Sequence, residues 1–366
     1  MKDPDRVTDS NLTSEVSAAY KPWPARCAVL LRAVTLVLIS VGALVTTYDA
    51  GMAVPDWPTT YGYNMFAYPW QTWLSGPFDL LIEHGHRLLG SLVGFIAIGL
   101  VVAVFASRER AWMKVVSIVT LLAVIGQGIL GGARVLFDDR QLAMVHGCVG
   151  PAFFALTSAV VGFTSRFWHA GDTAMADEGR AVPSVRTVRW EPVVWSSMAV
   201  AVLAYFQLVL GAAIRHLPID ATASYFRVAL LSHVGVAIAL TLYAIAAVRV
   251  AYQQSRPGLR GPATMLLVLL GMQVVLGVGT YIVKYGFPIW FADSTWAAGF
   301  VIQTKSMGQA ITVTAHVANG SLILATAVTL AVRAARLSAL SGEFAMRSGA
   351  HARSSQSSSR PVIYQN

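Results

Sequence analysis

The sequence predicts an all-α, polytopic membrane protein whose eight transmembrane helices form two tandem four-helix bundles, related by a pseudo-two-fold axis along the membrane normal. Three observations support this prediction. Hydrophobic residues make up 55% of the 366 residues and charged residues only 12%, whereas a soluble protein is about a quarter charged. The apolar residues lie in long blocks, and the second four blocks repeat features of the first four.

The eight apolar blocks are the predicted membrane spans. Each is close to the ~20 residues that a helix needs to cross the hydrocarbon core. Strands of a membrane barrel would alternate polar and apolar residues over ~10 residues, which these blocks do not do. In chain order, the predicted spans are 27–47, 86–106, 115–133, 143–164, 193–213, 228–248, 263–283 and 311–332.

The basic residues predict how the chain is oriented in the membrane. If the N-terminus is cytoplasmic, twenty of the 27 Lys and Arg fall in the cytoplasmic tails and loops. The positive-inside rule therefore places both termini in the cytoplasm, and it explains the net charge of +9 without nucleic acid as a partner. The other basic residues fall on the outer side: Arg87, Arg134, Arg140, Arg215, Arg227, Lys284 and Lys305.

The first 26 residues are polar and mixed in charge, so they resemble neither a cleaved secretory signal nor a transit peptide. Cys27 and Cys148 are predicted at opposite membrane faces, which excludes a disulfide between them. The tail from Ser338 is rich in Ser, Arg and Gly and is predicted to be disordered.

An internal repeat is clearest in the third and seventh spans. Gln127 and Gln273 each stand three residues before a Leu-Gly pair, and the spans before and after each carry a histidine. Because the matching helices are four apart, the two halves have the same orientation in the membrane. The glycines alone indicate close helix packing.

This repeat divides the chain into five segments. They are an N-terminal cytoplasmic tail (1–26), an N-terminal four-helix half (27–165), a cytoplasmic linker (166–192), a C-terminal four-helix half (193–335) and a disordered cytoplasmic tail (336–366).

Four histidines occupy equivalent positions in the two halves, each near the outer start of an even-numbered span: His86, His146, His233 and His316. A single intramembrane histidine can simply bond a neighbouring helix or water. Ionisable residues inside a membrane are costly, however, and are usually functional. Two histidines on facing helices can supply both axial ligands of a haem iron, so we predict His86 paired with His146 and His233 with His316. Zinc fits less well, because each half offers only two strong ligands.

The residues before His86 predict an acidic group beside one of these sites. Glu83 lies ~60° from His86 around the helix, whereas His84 points ~200° away and cannot share the site. Glu83 has two interpretations: a base or charge stabiliser beside an axial ligand, or an i,i+4 ion pair with Arg87. Leu230 stands at the equivalent place in the C-terminal half, which predicts chemistry in the N-terminal half and cofactor holding in the other.

Three arginines near the outer helix ends, Arg87, Arg134 and Arg215, are candidates for pairing with haem propionates. Lipid headgroups are equally suitable partners for them.

Through these residues the chain resembles the haem A synthase family over about residues 28–335. The matching segments are 83–87 with its Glu and two His, 51–58 with its Asp-Trp-Pro, the paired Gln and Leu-Gly segments, the His-Gly and His-Val starts at His146 and His233, and 316–320 with His-Val-Ala-Asn-Gly.

The resemblance implies an oxidoreductase that converts the C8 methyl group of haem O to the formyl group of haem A, by two hydroxylations and loss of water. It implies that His86 and His146 hold the substrate haem and that Glu83 is the catalytic acid. It also implies that His233 and His316 ligate a haem b. The implied partners are haem O synthase, the assembly of terminal oxidases and an electron acceptor that the sequence does not identify. The implied location is the plasma or inner membrane, and a homo-oligomer is compatible with it.

The chain departs from the family pattern in one respect. Many members carry a cysteine pair flanking Asp-Trp-Pro in the first outer loop, and Val54 and about Thr60 take those places here. A redox-active disulfide therefore has no counterpart in this chain.

Two other functions fit part of the pattern. A bis-histidine membrane cytochrome b, acting only in electron transfer, explains four histidines but gives Glu83 no role. A transporter built from parallel repeats predicts polar residues or broken helices at mid-membrane, whereas these spans are polar mainly at one end.

Overall fold

The computed structural model describes residues 20–169, 191–218, 220–254, 257–288 and 300–358. Within these ranges the chain is almost entirely helical, and the β-structure is one isolated bridge between Thr60 and Tyr63. The long helices are α1 (Pro22–Thr47), α2 (Phe78–Ala106), α3 (Ala111–Leu136), α4 (Arg140–Phe163), α5 (Glu191–Arg215), α6 (Ala223–Gln253), α7 (Pro257–Tyr285) and α8 (Met307–Ser358).

The prediction of eight membrane spans is confirmed. Among the described residues, eight helices are long and apolar enough to cross a membrane, and each coincides with one predicted block. The helices extend past the blocks because hydropathy marks only the apolar stretch, while backbone hydrogen bonding continues into the polar ends. Thus α2 begins at Phe78, directly after Pro77, and Glu83 and His86 lie inside its second and third turns.

The C-terminal tail differs from its prediction. The apolar part of α8 spans Met307–Ala339, but the helix continues to Ser358, over most of the segment 336–366 that was expected to be disordered. No proline interrupts this stretch before Pro361. Ala, Arg and Leu therefore prolong a helix that the membrane span has already nucleated.

The N-terminal half is a closed four-helix bundle. Each helix from α1 to α4 contacts the next, and α1 also contacts α4. Its interior is filled by fully buried aliphatic side chains from all four helices, among them Leu31, Leu100, Met113 and Val160. Such packing, rather than burial from water, is what associates helices inside a membrane.

The C-terminal half repeats this order of contacts. Helices α5 to α8 contact one another in sequence, and α5 closes the bundle against α8 around Leu259, Leu266 and Leu330. The halves meet where α8 packs against α4 and α1, and where α4 packs against α5. These contacts are compatible with a two-fold relation, and the axis itself stays a prediction. Residues 170–190 of the predicted linker lie outside the described residues, so the five-segment division also stays a prediction.

Candidate functional site

The four predicted histidines lie at one end of the bundle, where the odd-numbered helices end and the even-numbered ones begin. We call this the histidine end. The structure brings the histidines together in the two expected pairs. The ring centroids of His86 and His146 are 6.4 Å apart with planes inclined by 82°, and those of His233 and His316 are 6.4 Å apart with planes inclined by 63°.

This spacing suits two ligands on opposite sides of one iron. A metal–imidazole bond is about 2.0 Å long and the nitrogen lies about 1.1 Å from the ring centre, so the two ring centres of such a site are ~6.2 Å apart. The observed 6.4 Å is close to that value in both halves. Among the described residues, no three or more His, Cys, Asp or Glu are grouped to hold a metal ion. Each pair offers two imidazoles, the number of axial ligands that an iron held by a macrocycle can take.

A glycine on the preceding helix cradles each histidine ring. A Cβ at Gly42 would lie 2.9 Å from Cε1 of His86, and a Cβ at Gly131 would lie 2.9 Å from Cε1 of His146. The C-terminal half has the same arrangement, with 3.2 Å from Gly211 to His233 and 3.3 Å from Gly277 to His316. Only glycine lets the ring approach the neighbouring backbone this closely.

The rings also face the helix backbone one turn before the glycine. The imidazoles of His86, His146 and His233 interact with the backbone of Leu38, Gln127 and Gln207, respectively. The Nδ1 atoms of His86 and His146 are buried, yet they do not reach hydrogen-bonding geometry within the described residues. A ligated imidazole usually donates its second N–H to such a carbonyl.

Glutamines tie the histidine helices to their neighbours. Nε2 of Gln127 donates to the carbonyl of His146 over 2.8 Å, and Nε2 of Gln273 donates to the carbonyl of His316 over 3.2 Å. In the C-terminal half, Asn319 donates to Oε1 of Gln273 over 2.7 Å. Oε1 of Gln127 finds no partner among the described residues.

The sequence carried two further signals of this arrangement that were missed. Gln207 also stands three residues before a Leu-Gly pair, and its Nε2 lies 2.9 Å from the carbonyl of His233 and 3.1 Å from its ring nitrogens. In α1, the residue four positions before the cradling Gly42 is Leu38, so this helix supplies the glycine but no glutamine. A search for the repeat in every odd-numbered span would have found both.

Glu83 is buried at the rim of the N-terminal pair, with both carboxylate oxygens engaged. Oε1 lies 3.0 Å from Nη2 of Arg87 and 3.9 Å from Nη2 of Arg134. Oε2 accepts a hydrogen bond of 2.9 Å from the backbone N–H of Val54. The i,i+4 ion pair that the spacing offered is thus formed, and a role as a base stays a prediction.

Arg87 holds the chain that follows α1. Its Nη2 donates to the carbonyl of Val54 over 2.6 Å. Its Nη1 donates to the carbonyls of Asp56 and Thr59 over 2.6 Å and 3.1 Å. The guanidinium therefore binds these carbonyls and Glu83 at the same time, with a planar set of donors that a Lys could not reproduce.

His84 points away from the His86 site, as its spacing predicted. Its Nδ1 lies 3.1 Å from Oγ1 of Thr60, and its ring contacts Tyr68 and Trp73 at centroid distances of 5.2 Å. His84 is almost fully buried. It therefore anchors the first loop rather than contributing to either histidine pair.

The other two arginine candidates contact backbone carbonyls near the same end. Arg134 donates to Gly51 over 3.1 Å. Arg215, at the end of α5, donates to the carbonyl of Ala43 over 2.5 Å and to Oγ1 of Thr47 over 2.9 Å, both in α1. Pairing of these arginines with propionates or lipid stays a prediction.

Comparisons with known proteins bear on the same segments. The family model COX15-CtaA, described as cytochrome oxidase assembly protein, matches residues 25–229. A relative named heme A synthase from Symbiobacterium thermophilum is 28% identical over 191 residues, covering 50% of this chain and 56% of the relative.

Two further relatives carry the same name. That from Halalkalibacterium halodurans is 26% identical over 188 residues, covering 50% of this chain and 55% of the relative. That from Shouchella clausii is 31% identical over 115 residues, covering 30% of this chain and 35% of the relative. The chain thus spans about half the length of the curated relatives it matches, or less.

Proposed function

The chain belongs to the COX15-CtaA family of cytochrome oxidase assembly proteins, and from this membership we propose that it is a haem A synthase. In this proposal the protein is a multi-pass membrane oxidoreductase that oxidises the C8 methyl group of haem O to the formyl group of haem A. Relatives named heme A synthase support the proposal.

The observation that carries the proposal is the pair of matched histidine sites. In each half, two imidazole centres lie 6.4 Å apart, a spacing suited to one iron, and each ring packs on a glycine of the preceding helix. A protein that acts on one haem and holds another needs two such sites.

In the N-terminal half, we assign His86 and His146 to the substrate, haem O. These two imidazoles would hold its iron, and Gly42 and Gly131 set how far each ring can retreat. Oxidising the methyl group to the formyl level requires two hydroxylations, loss of water and an electron acceptor. The protein's contribution is to hold the macrocycle in one orientation, so that the same methyl group is always presented.

In the C-terminal half, we assign His233 and His316 to a haem b. When bound, this haem supplies one-electron redox chemistry. Gln207 and Gln273 hold the backbone of the two histidine helices, and Asn319 in turn holds Gln273. Such outer contacts fix the orientation of ligating imidazoles.

Glu83 is assigned to the chemistry of the N-terminal half. Its carboxylate lies three residues before His86 on nearly the same helix face, and Arg87 and Arg134 lie beside it at 3.0 Å and 3.9 Å. Acting as an acid or base would require one of its present contacts to open.

The proposal extends to location and partners. Both termini lie in the cytoplasm, which puts the histidine end at the extracytoplasmic face. Haem O arrives from a haem O synthase, and haem A leaves toward the assembly of terminal oxidases. Arg87, Arg134 and Arg215 are the cations available to propionates at this face.

Co-expression with a haem O-producing enzyme, followed by chromatography of the extracted haems, tests the proposal. We expect haem A to accumulate with this chain and not with its His86→Ala variant, which serves as the matched control. Purified protein that holds two haem b groups, in cells where haem O persists unconverted, would instead identify an electron-transferring cytochrome b.

A further inference from the structure

The segment 50–60, between α1 and α2, lies against the histidine end of the N-terminal half. We call it the roof loop. Gly51 contacts Arg134 of α3, Val54 contacts Glu83 of α2, and Thr60 contacts His84 of α2. The loop therefore bridges from α1 to the two helices beside the His86/His146 pair.

Trp57 of the roof loop packs on α3, beside the residue that cradles His146. Its indole lies flat against Gly132, so close that a Cβ there would stand 2.5 Å from Cε2 and 2.7 Å from Cε3. The preceding residue, Gly131, is the one that cradles His146. Trp57 thus contacts the residue next to Gly131, whose backbone limits the position of His146, a proposed iron ligand.

The roof loop is fastened by buried polar contacts rather than by apolar packing alone. The Arg87 guanidinium binds three of its carbonyls, and the Val54 N–H is bonded to Glu83. Val54 and Thr60 are both fully buried. Buried hydrogen bonds that involve a charged partner are among the stronger ones, and losing one partner leaves the other unsatisfied.

The C-terminal half has no room for an equivalent loop at the corresponding connection. The chain between α5 and α6 is seven residues, 216–222, against thirty between α1 and α2, 48–77. At this connection, the longer chain therefore belongs to the half to which we assign the substrate.

We propose that Trp57 is a specificity residue that closes the His86/His146 site toward the aqueous side, and that Arg87 is the positioning residue that holds it there. The ligand class is a planar tetrapyrrole with alkyl substituents, for which an indole face excludes water and limits the space around the ring edge. This inference rests on the proposed function for the identity of the ligand, but the fastening of the loop does not depend on it.

The fastening of the roof loop by Arg87, which we call the latch, is tested without any haem. Tyr61 and Tyr63 are exposed directly after the roof loop, so chymotrypsin cleavage there in the full-length, detergent-purified protein reports how often this part of the chain opens. We expect Arg87→Gln to raise the cleavage rate at least about tenfold, since Arg87 binds three loop carbonyls and one net hydrogen bond is worth about fivefold in an opening equilibrium. Arg87→Lys should fall between Arg87→Gln and the wild type.

Arg227→Gln is the matched control for the latch. Arg227 lies at the same end of the bundle, and its hydrogen bond among the described residues stays within its own helix, to the carbonyl of Ala223. Equal cleavage of Arg87→Gln, Arg227→Gln and the wild type would overturn the latch.

The closing of the site by Trp57, which we call the roof, is tested by removing or displacing the indole. Trp57→Ala removes it, and Gly132→Ala displaces it because the new Cβ would occupy ring space. Both should raise the KM for haem O several-fold more than they lower kcat, and both should speed reduction of the N-terminal haem by aqueous dithionite. Trp57→Phe should be milder. Trp112→Ala, at the opposite end, should match the wild type.

The outcomes separate this inference from the proposed function. If Trp57→Ala and Gly132→Ala bind and convert haem O like the wild type, with unchanged reduction rates, the roof is wrong although the synthase stands. If the wild type neither binds nor converts haem O while Arg87→Gln still loosens the loop, the proposed function fails and the latch stands.

Discussion

At the scale of single residues, Glu83 has one role that the structure shows and a second that we propose. Its carboxylate is the partner of Arg87 and of the Val54 N–H, so it holds the roof loop. It is also the acidic group nearest in sequence to His86, on nearly the same helix face. The question for turnover is therefore whether it needs the charge of Glu83 or its hydrogen bonds.

Comparing Glu83→Ala with Glu83→Gln answers that question. Glu83→Ala should abolish haem A formation, because it leaves Arg87 as an uncompensated buried charge at a cost of about 3–5 kcal/mol. Glu83→Gln keeps an acceptor for the Val54 N–H but cannot take or hold a proton as a carboxylate does. We expect it to keep the loop closed to chymotrypsin and still lose most activity.

Full activity of Glu83→Ala in the haem chromatography assay would show that the catalytic assignment is wrong. Full activity of Glu83→Gln with a closed loop would reduce Glu83 to the latch alone.

His216 offers a pH-dependent prediction just beyond the end of α5. Burial lowers its pKa from 6.5 to about 4, and the positive charges of Arg215, Arg134, Arg140 and Lys284 act in the same direction. Between these two values the unfolded chain binds a proton that the folded protein does not. The free energy of unfolding should therefore fall as the pH drops from 6.5 toward 4.

Thermal unfolding in detergent at about pH 7 and about pH 5 measures this effect. His216→Gln should lose less stability between the two conditions than the wild type does. An equal loss in both proteins would show that His216 is not held in its neutral form.

At the scale of helices, the recurring unit is a glycine of an odd-numbered helix seated under a histidine of the next. In α1 with α2 and in α3 with α4, a Cβ would come within 2.9 Å of the ring, and in the C-terminal pairs within 3.2 Å and 3.3 Å. The closer fit in the N-terminal half leaves those rings less freedom to retreat from a ligand.

Alanine substitutions at the cradling glycines test this unit, and each substitution has a control glycine in the same helix. Gly131→Ala should displace His146 and reduce haem retention in the N-terminal half, with a destabilisation of about 1–3 kcal/mol from overpacking. Gly277→Ala should act on His316 in the same direction but less strongly, since its Cβ contact is looser.

The matched controls are Gly128→Ala in α3 and Gly271→Ala in α7, where a Cβ meets no atom within 4 Å. Haem content per protein, read from the spectrum after purification, is the measurement. Loss of haem in the control variants to the same extent would show that any added methyl group disturbs these helices.

The helices were predictable from the sequence because each membrane span is a local run of apolar residues, and length alone separates it from a soluble core helix. The start of α2 was not predictable from the sequence, because Pro77 and the first polar turns carry no hydropathy signal. The histidine pairs followed from the repeat, which places His86 and His146 on facing helices.

The roof loop could not be predicted in the same way. Its contacts join residues far apart in sequence, such as Val54 with Glu83 and Gly51 with Arg134, and nothing in composition specifies which carbonyl a guanidinium will bind. Gln207, in contrast, was predictable, because its spacing to Leu-Gly matches that of Gln127.

At the scale of the whole molecule, each half is a closed bundle with its own histidine pair. Damage to one pair should therefore leave the other largely intact. His86→Ala should stop haem A formation while preserving the spectrum of the C-terminal haem b, and His233→Ala or His316→Ala should remove or loosen that haem b. Reduced-minus-oxidised spectra with chromatography of the extracted haems check both. Loss of both haems from each variant would indicate a single cooperative unit.

Arg215 is the side chain through which we expect the halves to influence each other. It lies one turn after Gly211, which cradles His233, and it donates to the carbonyl of Ala43, directly after the glycine that cradles His86. Because its second contact, Thr47, is also in α1, Arg215→Gln removes both hydrogen bonds between α5 and α1 at this level. Haem should then be lost from both halves together, unlike in the single-histidine variants. The control is Arg227→Gln, which removes a charge from the same end of the bundle and whose hydrogen bond lies within its own helix; it should retain both haems. If Arg215→Gln instead lost haem from the C-terminal half alone, Arg215 would support only its own bundle.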